Sequence, residues 1–235
     1  MQTSPEFTLS PPEASQAFMD VSALEAGIIT LPMALRCTSK ALLPLRSPFH
    51  SASEKQLVFD LGIPRNTDVL PPAVKDVIAK YMLVQVLQDA AESVKKGGLD
   101  PADVETVILS HLHFDHCSPG IPTPTSDLLA NSVPVDRTRF LAPSEFTSAI
   151  GLLPHAMDYF GDGSLYLVDA AGHMSGHINA LDRTSASESW IYLGSDTAHD
   201  MRLLTGEKEV GEVPDPRTPG AMPGRWYEEN KGGSA

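Results

Sequence analysis

Three short apolar runs in this sequence are each followed closely by a cluster of histidine or aspartate side chains. The run at residues 106–110 leads into His111, the run at 164–168 comes shortly before His173, and the run at 190–193 leads to Asp196. Short runs of apolar and β-branched residues predict buried strands. In layered α/β folds, sites assemble where strands end. The sequence therefore predicts an α/β fold in which these three clusters form one site.

The richest cluster is the stretch His-Leu-His-Phe-Asp-His at residues 111–116. His111 and His113 are spaced so that both can turn toward one metal ion, and Asp115 and His116 toward a second ion beside it. Imidazole nitrogens and carboxylate oxygens are ligands for Zn²⁺, and an open coordination position would hold water. The alternative of a solvated loop with chance histidines is disfavoured, because three imidazoles and a carboxylate within six residues match the requirements of a metal.

Composition limits the classes of partner. The chain has 235 residues with 17 Lys+Arg against 30 Asp+Glu, a formal charge of −13. Nucleic-acid binders carry basic patches, so this balance predicts no nucleic-acid partner.

The two cysteines are too few for a disulfide framework. The first twenty residues hold no apolar stretch of signal-peptide length, and no run is long enough to span a bilayer. We therefore expect a cytoplasmic protein without membrane contact, acting on a small molecule; its oligomeric state stays open.

Proline and glycine divide the chain into three parts: an irregular N-terminal segment over 1–56, a catalytic domain over 57–204 and a polar tail over 205–235. Apolar residues at helical spacing predict one helix from Pro72 to Lys96, ended by two glycines. Strands are predicted around 57–60, 106–110, 139–141, 164–168, 178–181 and 189–193.

Four motifs in order carry a family resemblance. Phe-Asp-Leu-Gly at 59–62, His-x-His-x-Asp-His at 111–116, Gly-His-x-x-Gly-His at 172–177 and Gly-x-Asp at 194–196 resemble those of the metallo-β-lactamase superfamily of metal-dependent hydrolases. The resemblance runs from about residue 57 to residue 202. The start at 59–62 and the stretch 161–166 are most similar to the lactonase-like branch, which includes fungal metallo-hydrolases.

The resemblance implies a four-layer αββα sandwich with two zinc ions at one edge. It implies that His111, His113 and His173 hold the first ion, that Asp115 and His116 hold the second, and that Asp196 bridges both. Asp60 and His177 match positions that support the ligands rather than bind metal themselves. Such partners orient metal-bound histidines.

The pattern departs from the family after Asp196. Family members take a further histidine from a strand near the C-terminus, whereas His199 is the only histidine among the 39 residues that follow Asp196 here. Three explanations stay open: water completes the second site, His199 substitutes, or this chain lacks the last strand and helix. His199 stands where lactonase-like relatives often carry a tyrosine that touches substrate, so it is a candidate catalytic residue.

The resemblance implies a zinc-dependent hydrolase that opens a lactone or another ester-type bond through a metal-bound hydroxide, with Asp115 moving the proton. An acyl-thioester hydrolase of the same fold is the first alternative. A mononuclear iron dioxygenase is disfavoured because both Asp115 and His116 are present. A catalytically impaired or truncated member that acts as a binding protein is the alternative outside the enzymes.

Overall fold

The computed structural model describes Leu9 and residues 16–30, 42–46, 55–117, 135–187, 189–198, 213–214 and 221–222. In chain order the helices and strands are β1 (Asp20–Ala23), β2 (Ile28–Thr30), β3 (Leu42–Arg46), β4 (Gln56–Phe59), α1 (Pro72–Tyr81), β5 (Leu83–Gln85), α2 (Ala90–Lys96), β6 (Val104–Ile108), β7 (Ser148–Ile150), β8 (Leu153–Asp158), β9 (Leu165–Asp169), β10 (Ile178–Arg183), β11 (Trp190–Leu193), β12 (Val213–Pro214) and β13 (Ala221–Met222). Single 3₁₀ turns lie at Thr67–Val69, Pro101–Asp103, Val135–Arg137, Pro143–Glu145 and Ser195–Thr197.

Two main sheets form the body of the fold. The first has four strands in the order β1-β3-β4-β6, and the second has five in the order β11-β10-β9-β8-β7. Every neighbouring pair is antiparallel except β4 and β6, which run parallel. A parallel pair needs a crossover connection, and the segment from Leu61 to Asp103, which contains both α-helices, supplies it. Two further pairs, β2 with β5 and β12 with β13, lie outside these sheets.

The core lies between the two sheets. Leu57 and Phe59 of β4 pack in one buried cluster with Leu165 and Leu167 of β9, and with residues of β6, β10 and β11. On the other face of the first sheet, Val58 packs against Val94 of α2. Alternate residues of β4 thus face opposite layers, as the pleat of a strand requires. The described residues show three stacked layers, α2, first sheet and second sheet; the fourth layer of the expected αββα sandwich stays a prediction.

The N-terminal segment is more regular than the sequence analysis predicts. Residues 1–56, expected to be irregular, contain β1, β2 and β3 and the first residue of β4. β3 was hard to recognise because Pro44 lies inside it, and proline removes a ladder hydrogen bond. The register between β3 and β4 shifts between Leu42 and Pro44, which accommodates the proline. The polar tail, expected to lack pattern, contains the β12–β13 pair.

The single helix predicted over Pro72–Lys96 is wrong in its middle. The chain forms α1, then β5, then α2. Val84 of β5 pairs with Ile29 of β2, so strand pairing overrides the helical spacing of the apolar residues. Asp89 then starts α2 with a capping box, accepting a hydrogen bond from the Glu92 amide while the Glu92 carboxylate accepts one from the Asp89 amide.

The remaining strand predictions have mixed outcomes. The strands expected around 57–60, 106–110, 164–168, 178–181 and 189–193 are confirmed as β4, β6, β9, β10 and β11. The strand expected at 139–141 is absent, and the hairpin of β7 and β8 follows instead. Within the described part of the chain, neither α1 nor α2 is long and apolar enough to cross a membrane.

Candidate metal centre

The parallel pair β4 and β6 brings two of the predicted clusters to one edge of the first sheet. Asp60 follows β4, and His111 comes three residues after the end of β6. The backbone N–H of Asp60 donates to the carbonyl of Ile108 at 2.8 Å, and that of Leu61 donates to the carbonyl of His116 at 2.7 Å. Since β4 and β6 run parallel, both end at the same edge of the sheet. The two hydrogen bonds then hold the histidine-rich turn over the end of β4.

The second sheet delivers its residues to the same place. His173 and His177 precede β10, and Asp196 follows β11. β10 and β11 are antiparallel, so the start of one strand lies beside the end of the other. The backbone N–H of Ile178 donates to the carbonyl of Ser110 at 2.9 Å, which ties the start of β10 to the end of the first sheet.

One group of converging ligand atoms contains three imidazoles and a carboxylate. His113 Nδ1 lies 2.9 Å from both His111 Nε2 and His173 Nε2. Asp196 Oδ2 lies 3.7 Å from His111 Nε2 and 3.5 Å from His173 Nε2. The ligand atoms of His111, His113, His173 and Asp196 all lie within 4.8 Å of one another, so one ion can be shared among the four side chains.

A second group lies directly beside the first. His116 Nε2 is 3.7 Å from Asp115 Oδ2 and 3.5 Å from Asp196 Oδ1. Asp196 therefore belongs to both groups and offers a different oxygen to each. The two groups contain all six side chains that the sequence analysis names as metal ligands.

The donor set fits a pair of divalent metal ions. Imidazole nitrogen and carboxylate oxygen are the ligands that zinc takes when thiolates are absent. His116 Nε2 is buried and makes no hydrogen bond within the described residues. A buried nitrogen aimed at two carboxylates is costly unless a cation or proton lies between them. The arrangement thus meets the requirement of the metal that the family resemblance implies.

The pKa values of His111 and His116, two buried histidines of the ligand groups, shift in opposite directions. Burial, together with the neighbouring His116 and His113, lowers the pKa of His111 to about 2. Burial also opposes a charge on His116, but the carboxylates of Asp196 and Asp60 outweigh it and raise the pKa of His116 to about 10. Without metal, His116 therefore carries a proton at neutral pH, which a metal must displace.

Asp60, which the sequence analysis names as a supporting residue, belongs to neither ligand group. Its Oδ2 accepts a hydrogen bond from His116 Nδ1 at 2.8 Å, and its Oδ1 accepts one from the Ser110 amide at 2.7 Å. The Ser110 hydroxyl lies 2.8 Å from Asp60 Oδ2, 3.0 Å from His111 Nδ1 and 2.7 Å from the Ser195 hydroxyl. The sequence analysis did not name either serine. Their only signal was adjacency to His111 and Asp196, which ordinary turn residues share.

The other two predicted residues have different outcomes. His177 is fully buried, and its Nδ1 donates to the carbonyl of Ala170 at 2.9 Å. It belongs to neither ligand group, and its ring centroid lies 5.0 Å from that of His111. That position is compatible with support by packing. His199 lies outside the described residues, so its contact with substrate or metal stays a prediction.

Comparisons with known proteins agree with the motif order. The family model described as the metallo-beta-lactamase superfamily matches residues 54–118. A relative from Penicillium brevicompactum, the cytochrome P-450 monooxygenase mpaDE', is 30% identical over 236 residues, 84% of this chain and 27% of its own length. This chain thus spans about a quarter of that relative. A gamma-lactamase of Gibberella moniliformis is 34% identical over 168 residues, 61% of this chain and 70% of the relative.

A solved structure shares the fold. It is an N-acyl homoserine lactone hydrolase with the product N-hexanoyl-L-homoserine bound at its catalytic metal centre, and it superposes with a TM-score of 0.51 at 14% identity. The match covers 92% of this chain and 86% of that one. Together with the gamma-lactamase relative and the family model across the strand and its histidine cluster, this match places the chain in the metallo-β-lactamase superfamily, with an α/β fold.

Proposed function

We propose that this chain is a zinc-dependent hydrolase that opens a lactone or another ester-type bond in a small molecule. The observation that carries the proposal is the shared carboxylate: Asp196 offers one oxygen to the three-imidazole group and the other to the group of Asp115 and His116. A bridging carboxylate with ligands on both sides is the architecture of a two-metal hydrolytic site. Support also comes from the solved hydrolase with product at its metal centre.

The ligand assignment follows the two groups. His111, His113 and His173 would hold the first zinc ion, Asp115 and His116 would hold the second, and Asp196 would contact both. When bound, such a metal pair lowers the pKa of water and polarises a substrate carbonyl. His116 must lose its proton for this site to fill, because a ligating imidazole nitrogen needs its lone pair.

Asp115 is the residue that we expect to move the proton. Its side chain is 12% exposed, and one carboxylate oxygen lies 3.7 Å from His116 Nε2. A carboxylate at the mouth of a buried site can take a proton and return it to a leaving group. In lactone opening, water adds to the carbonyl carbon and gives one proton to Asp115, the ring C–O bond breaks, and the leaving oxygen takes that proton from Asp115; the second proton of the water is released to solvent when the new carboxylic acid ionises. The products are a carboxylate and an alcohol.

The test of this proposal is turnover by the zinc-loaded chain on a panel containing an N-acyl homoserine lactone, a simple γ-lactone and an acyl thioester. We expect lactone opening that a chelator abolishes and added zinc restores. Asp196→Asn should lower it by about 100-fold or more, since it removes a charged ligand from both groups. Asp103→Asn is the matched control. Asp103 is exposed in the 3₁₀ turn before β6, so this variant should hydrolyse the lactone as fast as the wild type. If the zinc-loaded chain hydrolyses no substrate on the panel, the proposed activity is contradicted, and the alternative of a catalytically impaired binding protein is favoured.

A γ-lactam is the second substrate class, because the Gibberella relative is described as a gamma-lactamase. The amide is less reactive than the ester but presents the same carbonyl to the same groups. Adding a γ-lactam to the panel separates the two classes. For each substrate the catalysed rate is divided by the uncatalysed rate, and a chain specialised for lactams should show the larger ratio with the lactam than with the matched lactone. Exclusive turnover of the thioester would instead favour the acyl-thioester alternative.

A further inference from the structure

We propose that Ser195 is a positioning residue of the metal centre, whose hydroxyl joins the turn carrying Asp196 to the Asp60–Ser110 pair and supports the hydrogen bond that orients His111. The inference rests on the proposed metal centre and deepens it. Neither serine is a ligand, and neither belongs to the motif pattern on which the ligand assignment rests. The role follows from backbone conformation, hydroxyl geometry and the count of available protons.

The backbone of Ser195 is the first observation. Its φ is +42°, in the left-handed region that glycine adopts readily and other residues rarely do. Among the described residues, only one other non-glycine has a positive φ, namely Asp60 at +60°. Both lie at the metal centre. Strained backbone persists where surrounding contacts hold it in place.

Those contacts are the second observation. The Ser195 hydroxyl lies 2.7 Å from the Ser110 hydroxyl and 3.4 Å from Asp60 Oδ2. Ser110 and Asp60 belong to the edge of the first sheet, whereas Ser195 follows β11 of the second sheet. The hydroxyl pair therefore joins the two sheets at the residue next to the bridging carboxylate.

Counting protons fixes the direction of each bond. A serine hydroxyl has one proton and can accept two hydrogen bonds. Ser110 lies 2.8 Å from Asp60 Oδ2, which only accepts when ionised, so Ser110 must donate there. Its oxygen then accepts from its two nearest remaining neighbours, the Ser195 hydroxyl at 2.7 Å and His111 Nδ1 at 3.0 Å, while His116 Nδ1 lies farther away at 3.5 Å. His116 Nδ1 likewise donates to Asp60 at 2.8 Å.

The consequence is a fixed tautomer at two ligands. In the metal-bound state each ring has one proton, which these bonds place on Nδ1, so the Nε2 atoms of His111 and His116 would direct lone pairs at the two ligand groups. The Ser195 hydroxyl donates to the Ser110 oxygen, so the single proton of Ser110 stays directed at Asp60. The other end of the Asp196 turn is also held, because the Asn179 side-chain amide is hydrogen-bonded to the Thr197 hydroxyl at 2.7 Å. Asp196 is therefore fixed from both sides.

Two substitutions separate the hydroxyl from the backbone. Ser195→Ala removes the hydroxyl and keeps the strain, whereas Ser195→Gly removes both. The zinc dissociation constant, measured by competition with a chromophoric chelator, should rise about 10- to 100-fold in both variants, the range typical of residues that orient ligands. The urea midpoint of the metal-free protein should be higher for Ser195→Gly than for Ser195→Ala, because glycine adopts a positive φ without strain.

A spectroscopic signature adds a readout that general destabilisation would not move. In the zinc-loaded wild type, the Nδ1–H proton of His111 should exchange slowly with water, and it should exchange faster in both variants. Ser148→Ala is the matched control, since Ser148 lies on β7, the edge strand farthest from β11 in the second sheet. It should bind zinc as the wild type does.

The outcomes separate this inference from the proposed function. Wild-type zinc affinity in both Ser195 variants would overturn the positioning role while leaving the metal centre intact. Wild-type affinity in Ser195→Gly alone would also overturn it, because backbone strain rather than the hydroxyl would then explain the alanine variant. A wild-type chain that binds no zinc would overturn the proposed function, and this inference with it.

Discussion

At the scale of single residues, Asp60 organises the candidate site. It is 5% exposed, its backbone has a positive φ, and its carboxylate accepts hydrogen bonds from both the amide and the hydroxyl of Ser110 and from His116. Burying a carboxylate is costly unless several hydrogen-bond donors or a positive charge lie beside it. Asp60 has both, because its pair with His116 places an imidazolium beside it in the metal-free protein. Asp60 belongs to neither ligand group, so we expect it to orient ligands rather than to bind metal.

Replacing Asp60 by asparagine tests that role. Asp60→Asn keeps the shape and loses the charge, so the hydrogen bond to His116 Nδ1 weakens and the ring is less firmly held. We expect the zinc dissociation constant to rise about 10- to 100-fold while the fold persists. Chelator competition and circular dichroism measure the two effects. Asp68→Asn, an exposed carboxylate in a 3₁₀ turn, is the control and should change neither. Unchanged affinity in Asp60→Asn would show that the ligands need no such partner.

His116 makes the stability of the metal-free protein depend on pH. Its folded pKa is raised to about 10 from 6.5, so the folded state holds its proton more tightly than the unfolded state. The resulting stabilisation is fully present below pH 6.5 and is lost as pH rises through about 10. Metal-free wild type should therefore exceed His116→Gln in unfolding free energy by more at pH 6.5 than at pH 10. Urea titrations across this range provide the check, and a difference independent of pH would contradict the assigned charge.

At the scale of elements, strands that are set by a local apolar run can be predicted from the sequence, whereas strands that depend on a distant partner strand cannot. β4, β6, β9, β10 and β11 were predictable because each is a compact apolar run bounded by turn residues. The strands before residue 56 were not, since β3 contains Pro44 and gains its place by lying between β1 and β4. Helical spacing across residues 72–96 concealed β5, whose partner β2 lies more than fifty residues away. The ligand clusters were predictable because their residue types are rare in combination, whereas Ser110 and Ser195 are common in turns.

β10 carries a charge that its surroundings do not satisfy. Asp182 is 0% exposed, and neither carboxylate oxygen has a hydrogen-bond partner within the described residues. Burial raises its pKa to about 7 from 3.8. It lies opposite Leu165 of β9 and Ile191 of β11, an apolar setting. An unpaired carboxyl in such a place destabilises the fold whenever it ionises.

Asp182→Leu should therefore stabilise the protein. The raised pKa means that the folded state binds the proton more tightly, so the stabilisation is present at low pH and is lost as pH rises through about 7. The leucine variant escapes that loss, and its advantage over wild type in unfolding free energy should be larger at pH 8 than at pH 4. Asp76→Leu on the exposed face of α1 should show no such pH trend. An Asp182→Leu variant less stable than wild type at pH 8 would mean that this carboxylate has a stabilising partner.

At the scale of the whole molecule, the candidate metal centre lies where the two sheets meet. The first sheet supplies His111, His113, Asp115 and His116, and the second supplies His173 and Asp196. Metal bound there would link the sheets, so its binding free energy would add to the stability of the fold. Under the proposed function, the same edge of both sheets would therefore serve both stability and chemistry.

Metal content is the measurement that tests the central claim most directly. Purified chain saturated with zinc and freed of excess should carry two zinc ions, measured by elemental analysis against protein concentration. His116→Ala removes the imidazole of the second group and should lower the content to one, while the three-imidazole group stays filled. His155→Ala, a histidine on β8 outside both ligand groups, should keep two. A wild-type chain with one zinc ion or none, or a His116→Ala variant that still holds two, would contradict the two-metal centre.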